Sequence, residues 1–138
     1  MEKVSEVMTR DVQLVSPDQT IRDAANAMAD ADIGSLPVGE DDRLVGMITD
    51  RDIAIRAVAE GRGPTTTVRE VMTERVQYCF EDESVADVAR NMADLGVRRL
   101  PVLSREKRLV GIVALSNIAQ GADNHSKNVL LEGVAAPH

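Results

Sequence analysis

Aromatic residues are nearly absent from this chain of 138 residues, which has no tryptophan, one tyrosine and one phenylalanine. The core must therefore be built from aliphatic side chains and methionine. The lone cysteine, Cys79, cannot form an intramolecular disulfide, and no apolar stretch approaches the about 18 residues that a membrane span needs. The N-terminus also lacks the apolar run of a signal peptide. These absences predict a cytoplasmic protein.

Basic residues are too few to suggest a polyanionic partner. Sixteen lysines and arginines face 23 aspartates and glutamates, which gives a formal net charge of −7. An acidic surface opposes binding to nucleic acid and to anionic membranes, so we expect neither as a partner. No phosphate-binding loop or serine nucleophile motif is found, and Cys79 lies far in sequence from His125 and His138. The sequence predicts neither an enzyme nor a metal site.

What the chain does contain is an internal repeat. VSEVMT at residue 4 returns as VREVMT at residue 68, LPV at 36 returns at 100, and RLVG at 43 returns at 108. Between residues 4–38 and 68–102, 16 of 35 positions are identical. We therefore predict repeats over 1–61 and 68–122, a linker over 62–67 and a C-terminal tail over 123–138.

Each repeat has the same predicted order of elements. The first has strands near residues 12–15, 35–38 and 44–48, a turn over 39–42, a helix capped by Thr20 and a second helix over 50–60. The second has strands over 76–80, 99–103 and 109–113, with a helix that Ser84 caps and Gly96 ends, and another over 115–120. Residues 129–131 suggest a short helix in the tail. The pattern predicts an α/β (α+β) fold.

Thr49 and Asp52 stand at the junction of the third strand and the second helix. Their spacing suits a helix cap, and it also places a carboxylate where it can accept two hydrogen bonds from the cis hydroxyls of a ribose. The spacing alone does not choose between these roles. The second repeat has Ala114 and Asn117 at the same positions, so it has lost both the hydroxyl and the charge.

The ordered set of V-M-T, L-P-V, R-L-V-G and T-x-x-D motifs resembles a cystathionine-beta-synthase (CBS) domain, and two in tandem resemble a Bateman module. The resemblance covers roughly residues 2–122. It implies two pseudo-symmetric repeats, each with a three-stranded sheet flanked by two helices, packed sheet to sheet. It also implies a homodimer that binds an adenosine ligand between its repeats and regulates a partner protein, here unknown.

The family's crossed arrangement implies one strong cleft and one weak cleft. Thr49 and Asp52 would hold the ribose, and Arg98 and Arg99 of the other repeat would hold phosphate, because arginine forks bind phosphate well. The expected strong-cleft residues are Thr9, Gln13, Gly34, Ser35, Met47, Thr49, Arg51, Asp52, Arg98 and Arg99. The expected weak-cleft residues are Thr73, Gln77, Ile112 and Asn117.

The resulting functional prediction is a non-enzymatic regulatory module that requires no cofactor. Its expected ligand is AMP, ADP or ATP, with S-adenosylmethionine and NAD as further candidates. The alternative is a ligand-free dimerisation or interaction module with decayed sites, which Ala114 favours. Cys79 is interpreted as a buried thiol.

Overall fold

The chain forms two compact units in the computed structural model, which describes residues 2–121. One unit, the Asp52 unit, is Gln13–Val76; the other, the Asn117 unit, joins the segment up to Val12 to the chain from Gln77 onward. The opening V-x-E-V-M-T segment of each repeat therefore lies in the unit that contains the other repeat's strands. The predicted tail over 123–138, with its suggested helix, lies outside the described residues.

The Asp52 unit is mixed α/β. Its two strands pair in an antiparallel sheet, and its short second helix continues directly as a π-helix. The elements in chain order are α1 (Ile21–Ala31), β1 (Ser35–Glu40), β2 (Arg43–Thr49), α2 (Asp50–Asp52), the π-helix (Ile53–Val58) and a 3-10 turn (Val68–Glu70).

The Asn117 unit contains a three-stranded sheet. Its strand order is β3-β4-β5, with β3 parallel to β4 and β4 antiparallel to β5. The elements are a 3-10 turn (Val4–Glu6), β3 (Cys79–Phe80), α3 (Val85–Leu95), β4 (Arg99–Leu103), β5 (Leu109–Ala114) and α4 (Leu115–Gly121).

The predicted helix boundaries are confirmed where a cap defines them. The Thr20 side chain accepts a hydrogen bond from the Asp23 amide at 3.1 Å, and the Ser84 side chain accepts one from the Asp87 amide at 3.1 Å. Such caps satisfy amides that have no partner within the helix. Gly96 ends α3 with φ of 70°, a left-handed conformation that glycine adopts without strain.

The first predicted strand of each repeat is shorter in the structure. Residues 12–15 contribute only a parallel bridge between Val15 and Val38, and residues 76–80 form strand only at Cys79–Phe80. Pro17, which lacks an amide donor, follows the Val15 bridge and prevents further pairing. The predicted turn over 39–42 is also shorter, because Asp41 and Asp42 alone turn the hairpin, both with positive φ.

Each unit has its own aliphatic core, as the scarcity of aromatic residues predicts. The core of the Asp52 unit includes Val68, Val71 and Met72 from the opening segment of the second repeat, beside Leu36 and Ile48 of the sheet. The core of the Asn117 unit includes Val4 and Met8 in the same way. No helix among residues 2–121 is long and apolar enough to cross a membrane.

Candidate functional site

Thr49 and Asp52 form a reciprocal cap at the start of α2. The Thr49 hydroxyl accepts a hydrogen bond from the Asp52 amide at 2.9 Å, and Asp52 Oδ2 accepts one from the Thr49 amide at 3.0 Å. Both residues are half-buried. A carboxylate has a second oxygen with lone pairs of its own, so this cap is compatible with further hydrogen bonds to a ligand. The capping role predicted for Thr49 is therefore confirmed.

Gly34 and Ser35 lie beside this cap in the same unit. Ser35 is directly opposite Thr49 in the β1–β2 register, and the Asp50 amide donates to the Gly34 carbonyl at 2.9 Å. An added Cβ on Gly34 would approach Asp50 Oδ2 to 3.0 Å. Arg51 follows on the exposed side of the helix start. The strand pairing thus brings four predicted site residues of the first repeat together around Asp52.

Met47 pairs with Thr73, the last residue of the second VMT motif. The Met47 amide donates to the Thr73 carbonyl at 2.9 Å, and the Thr73 amide donates to the Met47 carbonyl at 2.8 Å. Gly46 makes this approach possible, because a Cβ there would lie 2.8 Å from Met72 Sδ and 2.9 Å from the Thr73 carbonyl oxygen. The glycine of R-L-V-G is therefore the contact point of the V-M-T segment.

An open cavity of about 560 Å³ lies on the Asp52 unit. One wall comes from Asp52 and the helix that follows it, and the other comes from the chain around Thr73. Its lining residues are Asp52, Arg56, Arg69, Glu70, Met72, Thr73, Glu74 and Arg75. The cavity therefore contains Asp52, an expected strong-cleft residue, together with Thr73, an expected weak-cleft residue.

The three arginines of the cavity have different partners. Arg56 Nη1 donates to the carbonyls of Val71 and Met72 at 2.9 and 3.0 Å. Arg69 pairs with Glu40 at 3.3 Å and Asp18 at 3.5 Å. Among residues 2–121, neither Arg56 nor the third arginine, Arg75, forms an ion pair with a carboxylate.

Glu70, also in the cavity wall, is the last residue of the 3-10 turn, and its side chain caps the start of that turn. Its carboxylate accepts hydrogen bonds from the amide and the hydroxyl of Thr67 at 3.0 and 2.9 Å. These bonds, with the nearby Arg62 charge, lower the pKa of Glu70. Glu70 is therefore ionised at neutral pH, and it forms an ion pair with Arg62 at 3.8 Å.

The Asn117 unit has an incomplete version of the cap. Asn117 Oδ1 accepts a hydrogen bond from the Ala114 amide at 3.1 Å. Ala114 has no hydroxyl that could accept a hydrogen bond from the Asn117 amide. Arg99 lies opposite Ala114 in the β4–β5 register, and the Leu115 amide donates to the Arg98 carbonyl at 3.0 Å. Both arginines are exposed. This unit therefore has the arginines but lacks the carboxylate.

The opening segments change the expected grouping of four residues. The family resemblance implies that Thr9 and Met47 belong to the strong cleft and that Thr73 and Ile112 belong to the weak cleft. The backbone bridges instead join Thr9 to Ile112 and Thr73 to Met47, since each opening segment packs on the other repeat's strand. Gln13 remains in the same unit as Met47, whereas Gln77 belongs to the Asn117 unit. The role of these residues in ligand binding stays a prediction.

Sequence reasoning missed all three arginines of the cavity wall, Arg56, Arg69 and Arg75. Arg56 lies four residues after Asp52 on the same helical segment, and this spacing could have identified it. Arg75 is two residues beyond Thr73, but nothing in the sequence assigned the second VMT segment to the Asp52 cavity. The exchange of opening segments is a feature of the tertiary structure.

Other reactive and charged groups among residues 2–121 include Cys79 and the Arg105–Asp82 pair. Burial raises the pKa of the Cys79 thiol to about 12, with a smaller contribution from Glu83, so the thiol is protonated at neutral pH. Arg105 pairs with Asp82 at 2.8 Å and lies over the Phe80 ring on the surface. Within residues 2–121, no group of three or more histidine, cysteine, aspartate or glutamate side chains could hold a metal ion.

Two α/β units that carry the same motifs, with a capped strand-to-helix junction in each, define a tandem-repeat module. The family model for the CBS domain matches residues 4–58 and again 68–122, so the chain belongs to the CBS domain family as a tandem pair. The resemblance drawn from the motifs is confirmed.

The chain is similar in sequence to two relatives of comparable length. It is 44% identical over 119 residues to the CBS domain-containing protein YhcV of Bacillus subtilis, covering 86% of this chain and 84% of YhcV. It is 37% identical over 139 residues to Hypoxic response protein 1 of Mycobacterium tuberculosis, covering 99% and 96% of the two chains.

Solved structures show the same fold. Hypoxic Response Protein I, solved with two coordinated zinc ions, matches with a TM-score of 0.77 and 39% identity, covering 88% of this chain and 99% of that one. The CBS domain pair of protein MJ0100, in complex with 5'-methylthioadenosine and S-adenosyl-L-methionine, matches with a TM-score of 0.69 and 30% identity, covering 87% and 94%.

Proposed function

We propose that this protein is a non-enzymatic regulatory module that binds an adenosine-containing ligand. The observation that carries the proposal is the cavity of the Asp52 unit, which brings the Asp52 carboxylate and Thr73 to one place. Adenosine compounds in the MJ0100 CBS pair support it. Asp52 would accept hydrogen bonds from the ribose hydroxyls, and Met47 would contribute apolar surface for the base.

We further propose that the two repeats are unequal in binding. The first repeat keeps the threonine and the carboxylate, whereas Ala114 and Asn117 leave the second without either. The crossed arrangement implied by the family resemblance assigns Arg98 and Arg99 to phosphate. That assignment is a prediction from the sequence, and its test is whether Arg99→Ala weakens binding of the ligand that Asp52 holds.

Regulation would operate by population shift. A ligand that binds one conformation of the pair more tightly stabilises that conformation, and a partner protein recognises it.

We also propose a homodimer formed through apolar faces of α1 and α3, tested by sedimentation at micromolar protein. A monomer alone would contradict the dimer without affecting the ligand-binding proposal.

A thermal-shift screen tests the ligand class directly. The protein is heated with AMP, ADP, ATP, NAD or S-adenosylmethionine, each at several concentrations. A ligand at one hundred times its dissociation constant adds about 2.7 kcal/mol, which raises the Tm by roughly 5–10 °C for a chain of this size. If none of the five compounds shifts the Tm, the alternative of a ligand-free interaction module, which Ala114 favours, is preferred.

A further inference from the structure

The opening segments of the two repeats are held to their units by matching backbone hydrogen bonds. The Val4 amide donates to the Glu83 carbonyl at 3.0 Å, and the corresponding Val68 amide donates to the Gln19 carbonyl at 2.8 Å. Each segment also ends in a reciprocal pair of backbone bonds at 2.8 and 2.9 Å, made by its last threonine. The backbone alone therefore attaches the two segments about equally.

An arginine side chain adds two hydrogen bonds to one segment and has no counterpart at the other. Arg56 Nη1 donates to the carbonyls of Val71 and Met72 at 2.9 and 3.0 Å, just after the 3-10 turn Val68–Glu70. Carbonyls at the end of a helical turn have no partner within it, and a cationic side chain binds them favourably. The second repeat has Gly121 at the position of Arg56, so it has no side chain for this contact.

Ion pairs favour the same segment, by a smaller amount. Arg69 pairs with Glu40 at 3.3 Å and with Asp18 at 3.5 Å, and the corresponding residue of the first repeat is the uncharged Ser5. Arg10 donates to the Ser5 carbonyl at 3.3 Å, but this bond lies close to the segment's own backbone and ties it to no other element. Exposed ion pairs contribute little to stability, so the bonds of the π-helix arginine are the larger difference.

Burial differs in the same direction. Val71 has an exposed fraction of 0%, whereas the corresponding Val7 is only partly buried. Removal of apolar surface from water stabilises a contact in proportion to the area buried. The charged hydrogen bonds, the ion pairs and the buried valine therefore all favour attachment of the second repeat's opening segment.

We propose that Arg56 is a positioning residue that holds residues 68–73 against the π-helix (Ile53–Val58). The wall of the Asp52 cavity that contains Thr73 is then formed before any ligand binds. Residues 4–9 lack this support, and they open locally while the rest of the Asn117 unit stays folded. The inference goes beyond the proposed function, because it concerns the protein without a ligand.

Amide hydrogen exchange of the full chain without ligand, followed by NMR, tests the inference. The bridge amides of Thr9 and Ile112 are compared with the corresponding amides of Thr73 and Met47, each corrected for its rate in an unstructured chain. Thr9 and Ile112 should exchange about ten-fold faster or more, because hydrogen bonds from a charged group stabilise more than neutral ones.

Arg56→Met keeps an unbranched side chain and removes its hydrogen-bond donors. It should accelerate exchange at Thr73 and Met47 about ten-fold, towards the rates of Thr9 and Ile112. The amides of α1, which report unfolding of the whole unit, should exchange as in the wild-type protein. Arg56→Lys retains a charged donor, so it should restore part of the protection at Thr73 and Met47.

Two other arginine variants are controls. Arg22→Met removes an exposed side chain of α1 that forms no ion pair among residues 2–121, and it should leave exchange at Thr73 and Met47 unchanged. Arg69→Gln removes only exposed ion pairs, so it should accelerate exchange at Thr73 by less than about five-fold.

Three results would overturn the inference: equal protection of the two bridges in the wild-type protein, unchanged exchange in Arg56→Met, or a larger effect of Arg69→Gln than of Arg56→Met. If Arg56→Met accelerates the α1 amides as much as Thr73, Arg56 stabilises the whole unit and its local positioning role is wrong. Because no ligand is present, a negative thermal-shift screen leaves this inference standing, and a negative exchange result leaves the proposed function standing.

Discussion

Gly46 and Gly111 have the same role in their two units. Each lies in a strand against the Met-Thr pair of an opening segment, and an added Cβ would meet a methionine Sδ at 2.8 or 2.7 Å. It would also meet a carbonyl oxygen at 2.9 Å in both cases. A methionine end can move, but the carbonyl belongs to a bridge whose hydrogen bonds fix its position. Glycine is therefore required here for close approach of two backbones.

Gly46→Ala should destabilise the protein by about 1–3 kcal/mol, the usual cost of overpacking a well-filled contact. Gly63→Ala is the matched control, since a Cβ there meets nothing within 4 Å. Urea unfolding followed by circular dichroism measures both changes. Equal effects of the two substitutions on the free energy of unfolding would show that the close contact with Met72 and Thr73 does not affect stability.

Cys79 should be nearly unreactive in the native protein at pH 8. Burial raises the pKa of its thiol to about 12, so the nucleophilic thiolate is scarce. The thiol has a pKa of about 8.5 in the unfolded chain. Burial of the protonated thiol therefore contributes to stability below about pH 8.5, and this contribution is lost as the pH rises towards 12. A thiol reagent should modify Cys79 much faster in denaturant than without it. Equal rates would contradict the burial of this side chain.

At the scale of elements, the repeats in the sequence and the compact units in space differ by exchange of the opening segments. Val68, Val71 and Met72 are buried in the core of the unit formed by the first repeat. The Val68 amide donates to the Gln19 carbonyl at 2.8 Å, and the Arg69 amide donates to the Pro17 carbonyl at 2.9 Å. The Asp52 unit, Gln13–Val76, is therefore continuous in sequence and includes the opening segment of the second repeat.

A fragment of residues 13–76 should unfold cooperatively, although a unit of this size is only marginally stable. A fragment of residues 1–64 has the same length but lacks the three buried side chains of the opening segment, so it should show no cooperative transition. Thermal unfolding by circular dichroism compares the two. A cooperative transition in the 1–64 fragment alone would contradict the structural assignment of the segment.

The sequence predicted the elements whose causes are local. The caps at Thr20, Ser84 and Thr49, the left-handed Gly96 and the aliphatic core all follow from side chains near their own position. The single bridge at Val15 and the pairing of Thr73 with Met47 were not predictable in this way. Both depend on which strand a segment meets in space, and two similar repeats offer each opening segment two similar strands.

At the scale of the whole molecule, duplication has produced two units that are alike in fold and different in chemistry. The unit with Asp52 has the complete cap and a cavity with Arg56 and Arg75. The unit with Asn117 has Arg98 and Arg99 beside a cap without its hydroxyl. If the ligand has both ribose and phosphate, this division predicts one strong site per chain centred on Asp52.

Calorimetric titration of AMP into the wild-type protein, Asp52→Ala and Asn117→Ala tests that claim most directly. Loss of the carboxylate removes hydrogen bonds to a charged acceptor, worth about 1.5–3 kcal/mol, so Asp52→Ala should bind ten- to a hundred-fold more weakly. Asn117→Ala should bind nearly as the wild-type protein does, with one site per chain. Two equal sites per chain, or equal losses in the two variants, would contradict the account.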